Sequence, residues 1–230
     1  MRFKDITLFT HKLTEMKDFY KKVLELHINS EDKSHFSVQI GSTTLVFKQS
    51  ESSSEPVYHF AVNIPENKME EAKSWIASKV ELNTEKDSDE AFFESWNAHA
   101  IYFEDRSGNI VEFIARHNLN NAVEHRFSSG DFICISELGI VVEDVIPFVR
   151  KLNEWGLPNW KEDNEGLTPV GDEHGLFITV KEGRRWFFTK KAAEFYPCEV
   201  TIEGMGQFSV ERKDSKTFIT SVQHDGKTNH

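Results

Sequence analysis

The sequence predicts an α+β protein built from repeated strand–helix–multistrand units. Three observations carry that prediction. Apolar residues alternate in some short runs and recur at three-to-four spacing in others. Each helical run is followed by several short strands rather than by one. The pattern restarts twice, after polar linkers at 49–56 and 118–130. A unit of this kind exposes one apolar sheet face, so two must pack together to bury a core.

The first unit opens with a strand at 5–9. A helix over 14–25 follows, with Met16, Phe19, Tyr20, Val23 and Leu24 on one face and Thr14 as its N-cap. Phe36, Val38 and Ile40 alternate, and Gly41-Ser42 turns that strand into a second one, TTLVFK. The second unit has a strand at 58–64 and a helix over 67–79 with Met69, Ala72, Trp75 and Ile76 on one face. Strands at 91–95, 99–104 and 109–115 follow, the last two joined by a turn at Asp105-Arg106-Ser107-Gly108-Asn109. The third has a strand at 132–142, then a helix carrying Val145, Phe148, Val149, Leu152 and Trp155 and stopped by Gly156-Leu157-Pro158. Strands at 166–170, 175–180 and 185–188 complete it, and Asp172-Glu173-His174-Gly175 echoes the earlier turn. The polar segment 206–230 reads as a tail whose last dozen residues are frayed or disordered.

Composition narrows the function classes. The 230 residues carry 27 Lys+Arg against 38 Asp+Glu, a formal charge of −11. That balance argues against a nucleic-acid partner and against anionic membrane surfaces. Aromatic residues make up 12%, including 19 Phe, which excludes an acidic disordered chain. Mean hydropathy is −0.50, and no apolar run approaches the ~18 residues of a membrane span. The start, MRFKDITLF, has no signal-peptide pattern, and Cys134 and Cys198 are the only cysteines, so a reducing, cytoplasmic location is expected.

Strand parity singles out polar residues on apolar strands. His59 shares a face with Ala61 and Asn63. Glu112 interrupts Ile110-Val111-Glu112-Phe113-Ile114, where a carboxylate is costly unless it is paired, metal-bound or facing a cavity. Asp5 and His59 open equivalent strands fifty-four residues apart, and Glu112 follows fifty-three residues after His59.

The chain resembles the vicinal oxygen chelate superfamily of glyoxalases, extradiol ring-cleaving dioxygenases, fosfomycin-resistance proteins and bleomycin-binding proteins. Phe19-Tyr20-Lys21-Lys22-Val23-Leu24 is similar to the family's "FYxxVLG" helix, with Glu25 where Gly is usual. Tyr102 through Glu112 is similar to its "YFxDPxGNxxE" turn and closing strand, with Arg106 in place of Pro. The resemblance implies paired βαβββ modules forming a curled mixed-sheet cup. One domain would span 1–117 (modules 1–50 and 56–117), with a degenerate third βαβββ-like module at 131–205 and the tail at 206–230.

The resemblance also implies a divalent metal, Fe²⁺ or Mn²⁺, held by Asp5, His59 and Glu112, with Tyr102 as the catalytic acid/base or orienting residue. Asp5 stands where His is expected, which makes the site harder and more anionic. The glyoxalase fourth ligand, a carboxylate on TTLVFK, has no counterpart; Lys48 is the nearest polar residue. The third module keeps Glu137 at the first-strand position but has Thr179 where its Glu would be. His99 lies near the position of the family's upstream His.

Each candidate also has a plainer reading. His59 reads equally as a hydrogen-bonded core histidine, and Glu112 as a partner of Arg106 or Arg116. Asp5 reads as a turn cap or a partner of Lys4, Tyr102 as a core or cavity-lining residue, Glu137 and His174 as surface or pairing residues, and His11 as exposed. Lys181-Glu182-Gly183-Arg184-Arg185 reads as a solvated loop, or as a clamp whose arginines hold an anionic ligand over the cavity. Nucleophile elbows, phosphate loops, HExxH and GxGxxG are absent.

Two functions stay open. One is a metal-dependent dioxygenase or lyase acting on a small bidentate oxygen substrate. The other is a non-catalytic small-molecule binding protein with a vestigial metal site. A third module lacking a visible partner further suggests a homodimer.

Overall fold

A computed structural model describes residues 1–222, which form two seven-stranded sheets and three α-helices. The first unit comprises β1 (Phe3–Thr10), α1 (Leu13–Asp18), β2 (Ile28–Glu31), β3 (His35–Ile40) and β4 (Thr43–Gln49). The second comprises β5 (His59–Ile64), α2 (Met69–Ala77), β6 (Ala91–Phe93), β7 (Ala98–Glu104) and β8 (Ile110–Arg116). The third comprises β9 (Cys134–Val142), α3 (Val145–Glu154), β10 (Leu167–Asp172) and β11 (Gly175–Lys181). A terminal meander follows: β12 (Cys198–Ile202), β13 (Gly206–Lys213) and β14 (Lys216–Ser221).

Sheet order shows how the units combine. One sheet runs β14-β13-β12-β1-β4-β3-β2 and the other β10-β11-β9-β5-β8-β7-β6. The first two units, expected to form one paired-module domain, therefore do not share a sheet. β1 pairs antiparallel with β12, and β5 pairs antiparallel with β9. Each opening strand needs a partner along its free edge, and the third unit and the terminal meander supply those partners within the chain. The unpartnered third module, the ground for expecting a homodimer, is thereby removed.

Segment 206–230, expected as a tail, instead contributes β13 and β14. Phe208, Val210 and Ile219 are buried, an alternation that the surrounding polar residues masked. Of the expected frayed dozen, 219–221 lie in β14, and 223–230 fall outside the described residues. The expected strand at 185–188 is a loop that folds over the second sheet.

The two sheets share one core. Phe3 of β1 meets Phe177 of β11 with ring centroids 5.3 Å apart, and the Thr43 hydroxyl accepts from the Ile135 N–H at 3.2 Å. In the second sheet Phe60, Val62, Val111, Phe113 and Leu138 face this core. The alternate residues Ala61, Tyr102, Ile110, Ile114 and Ile178 build a smaller cluster on the opposite face. Both faces of β5 and β8 are consequently buried.

The first helix departs from regular geometry. After α1 the residues Phe19–Val23 form a π-helical turn, which the Leu24 N–H closes by donating to the Phe19 carbonyl at 3.1 Å. Phe19 and Tyr20 of this turn are both buried. Glu25 then takes a left-handed φ of 55°, the conformation for which glycine is favoured.

Candidate functional site

The polar residues of β5, β8 and β9 meet on the face turned away from the main core. Parallel register sets His59 opposite Ile110 and Ala61 opposite Glu112. Antiparallel register sets Ala61 opposite Glu137. His59, Glu112 and Glu137 thus surround Ala61, whose small side chain leaves room for them. All three are buried, and each presents one ligand atom, these atoms lying within 4.8 Å of one another.

His59 is oriented from behind. Its Nδ1 lies 3.1 Å from the Ile110 carbonyl oxygen, which only accepts, so Nδ1 carries the proton and Nε2 carries the lone pair. Nε2 sits 3.5 Å from Glu112 and 4.0 Å from Glu137. Burial lowers the imidazole pKa to about 4, so these are approaches to a neutral ring rather than ion pairs.

The two carboxyls are held above their ordinary range. Burial raises Glu112 well above it, Glu137 adds to the shift, and Arg116 and Tyr102 oppose it. Burial also raises Glu137, against the pull of Arg116. Arg116 is fully buried; its Nη2 is bonded to Glu137 and its Nε donates to Asn63 Oδ1 at 3.1 Å. Its guanidinium carbon lies 5.4 Å and 5.5 Å from the rings of Trp96 and Trp160, and Nη1 is unpartnered.

The donor set fits a divalent cation. One neutral imidazole and two carboxyls form a hard, oxygen-rich set, and the buried carboxylates call for a compensating positive charge. Arg116 supplies part of that charge from one side of Glu137 and leaves its other oxygen towards His59. The register that matches His59 with Ile110 matches Glu137 with Leu176, so Ile178 occupies the position corresponding to Glu112 in the third unit. That fourth position is apolar.

A cavity of about 290 Å³ opens over the cluster. Phe93, Trp96, Tyr102 and Ile110 line its walls. The loop after β11 closes it from above: Trp186 packs on the His59 ring at 4.9 Å, and Phe188 stacks on Tyr102 at 5.0 Å. Gly139 of β9 makes room for Trp186, since a Cβ there would lie 2.8 Å from the indole.

Of the residues singled out from sequence, His59, Glu112 and Tyr102 come together. Tyr102 faces Glu112 across the β7–β8 register, and burial together with Glu112 and Glu137 holds its phenol pKa well above the ordinary value. Asp5 does not join them. It lies in the other sheet between Thr44 and Thr201, because β1 pairs with β4 and β12. Glu137 takes the place assigned to Asp5, so its reading as a surface residue is corrected; its reading as a pairing residue holds through Arg116. The signal was its first-strand position in the third unit. Arg116 bonds Glu137 rather than Glu112. His99 contacts His117 at 2.7 Å, and Lys48 pairs with Glu199 at 3.1 Å.

No family model and no curated protein matches the chain. Solved structures do. A Bacillus subtilis structure named "putative dioxygenase" superposes with a TM-score of 0.56 at 16% identity, over 78% of this chain and 63% of its own. This chain therefore spans less than two thirds of that protein. Lactoylglutathione lyase from Agrobacterium tumefaciens gives a TM-score of 0.41 at 15% identity, over 48% of this chain and 90% of its own. The fosfomycin resistance protein FosX from Listeria monocytogenes, complexed with Mn(II), gives 0.39 at 19% identity, over 48% and 86%. The likeness shows the fold alone, an α+β fold shared with the structure named for a dioxygenase.

Proposed function

We propose that this protein is a divalent-metal-dependent enzyme acting on a small bidentate oxygen substrate, with His59, Glu112 and Glu137 as the metal ligands. The observation that carries this reading is the 3.1 Å contact of His59 Nδ1 with the Ile110 carbonyl oxygen. The Nδ1 proton is spent on that carbonyl, which leaves the Nε2 lone pair directed at two buried carboxyls. Hard ions such as Mn²⁺ or Fe²⁺ suit that donor set. Bound there, the ion supplies Lewis acidity and a template for two substrate oxygens.

The chain's own groups divide the remaining work. The cavity walls exclude water and stack a flat substrate. Tyr102 keeps its proton at neutral pH, so it serves as a hydrogen-bond donor that orients the substrate. Arg116 holds Glu137 in position. The comparison with the dioxygenase-named structure supports the fold alone; the choice between ring cleavage and lyase chemistry rests on which ion binds.

Two observations favour the alternative of a binding protein with a vestigial site: Arg116 occupies one oxygen of Glu137, and the fourth position is Ile178. Calorimetric titration of Mn²⁺, and of Fe²⁺ under anaerobic conditions, into chelator-treated protein separates the two. The enzyme reading expects one equivalent of bound ion, lost in His59→Ala and Glu112→Ala. A failure of both ions to bind the wild type overturns it and leaves the binding protein.

Among the described residues no helix is long and apolar enough to cross a membrane. Cys134 and Cys198 are free and buried. We place the protein in the cytoplasm on the strength of those two unpaired thiols.

A further inference from the structure

We propose that the ligand of this cavity is a flat, largely apolar acid, bound with its anionic group at Arg184 and its other end over His59, Glu112 and Glu137. The second half of that statement rests on the functional reading above; the Arg184 half does not.

The cavity is polarised along its depth. Of its lining residues the two carboxyls are buried, whereas Arg184 is half-buried and Asn164 exposed, which places the carboxyls inward and those two towards solvent. Between them the lining is aromatic, including Trp96, Tyr102 and Trp186. About 290 Å³ between aromatic walls suits one or two fused rings rather than a chain or a sugar. The guanidinium that can pair with a ligand's charge is the half-buried one of Arg184, while Glu137 already holds the buried one of Arg116, so the anionic end of a ligand is placed at Arg184 and its apolar end among the rings.

Arg184 is set apart from its neighbour. Arg185 donates to Glu85 at 2.6 Å and to the Thr189 carbonyl at 2.8 Å, so its charge is neutralised within the protein. Arg184 has no carboxylate partner among the described residues. Its guanidinium makes one hydrogen bond, from Nη1 to the Arg185 carbonyl at 3.3 Å, and lies over the Phe187 ring at 5.1 Å. A half-buried arginine on an aromatic face, with most of its donors unspent, is built to receive a planar anion such as a carboxylate.

Its backbone is also fixed in advance. The Arg184 N–H donates to the Lys181 carbonyl at 3.1 Å, and its carbonyl accepts from the Ala193 N–H at 2.7 Å. The Gly183 N–H donates to the Ala193 carbonyl at 2.8 Å, which closes the base of the loop. Asn164 Oδ1 is taken by the N–H groups of Gly166 and Leu167, which leaves its NH₂ as a second donor at the solvent-facing end.

The test is calorimetric titration of 2-naphthoate and of 2-naphthalenemethanol, the same ring system with and without the charge. Chelator-treated protein is used, so the outcome does not depend on whether a metal binds. Wild type is expected to bind the acid about tenfold more tightly than the alcohol. Arg184→Gln should bring the two within about twofold while leaving the alcohol unchanged, and Arg184→Lys should restore part of the preference. Arg185→Gln should retain the preference. Equal affinity of wild type for both probes, no binding of either, or an equal loss of both in Arg184→Gln overturns the proposal. Failure of Mn²⁺ and Fe²⁺ to bind, with the acid preference intact, counts against the metal reading alone.

Discussion

Replacing Arg116 by Met tests the electrostatic design of the site. The guanidinium is fully buried, bonded to Glu137 and Asn63, and placed near two tryptophan rings. Removing one partner of a buried ion pair costs about 3–5 kcal/mol, because the other charge is left uncompensated. Part of that is offset here, since Nη1 already lacks a partner and such an orphan costs about 1–3 kcal/mol. The net loss for Arg116→Met is therefore expected to lie between zero and about 4 kcal/mol, centred near about 2 kcal/mol. Glu137→Gln leaves the arginine unpaired instead and should cost a similar amount. The double variant has neither orphaned charge and should fall well short of the sum, with a coupling of about 2–3 kcal/mol.

Urea unfolding in the presence of chelator, followed by far-ultraviolet circular dichroism at pH 7, gives all four corners of this cycle. Saturating Mn²⁺ adds a second reading. An ion at Glu137 supplies the missing positive charge, so it should stabilise Arg116→Met more than wild type; at a hundredfold excess over Kd the direct binding contribution is about 2.7 kcal/mol. A coupling below about 0.5 kcal/mol would show that the two residues act independently and would refute the reasoning.

Two other predictions concern residues that hold the frame. Asp105 accepts from the N–H groups of Ser107 and Asn109, from Asn109 Nδ2 and from the Tyr20 hydroxyl, yet burial raises its pKa to about 6. Between its ordinary value and about pH 6 the native state therefore holds more protons than the unfolded state, so this group's contribution to stability falls as pH rises through that window, by about 3 kcal/mol. The stability difference between wild type and Asp105→Asn should shrink accordingly between pH 4 and pH 6.5 in urea titrations, and a flat difference would refute it. Glu25→Gly relieves the left-handed φ at the end of the first helix and loses only an exposed pair with Lys79. It should change stability by between zero and about +1 kcal/mol, and a measured loss above about 1 kcal/mol in the same assay would contradict the strain argument.

Local chemistry was legible where it is short-range. The Tyr102–Glu112 hairpin shows in its Asp105-Arg106-Ser107-Gly108-Asn109 turn, because a tight turn demands particular residues at particular positions. The inward direction of His59 and Glu112 shows in strand parity, because successive side chains must alternate. The position of Glu25 was marked by a departure from the pattern, and it is the residue that takes the left-handed φ. The π-helical turn at Phe19–Val23 was not legible, since an apolar stripe reads alike over α and π geometry.

What the sequence determined by itself was the α+β character and which side of each strand its polar residues occupy. Which strands become neighbours was decided only in three dimensions. Asp5 and Glu137 open equivalent strands, and nothing local distinguishes which of them will stand opposite Ala61. That choice follows from the edge β5 offers, which β9 fills, while β12 fills the edge of β1. Strand pairing is set by long-range burial and hydrogen-bond closure of sheet edges. The composition of the site therefore turns on a tertiary contact, although each of its side chains was aimed by its own strand.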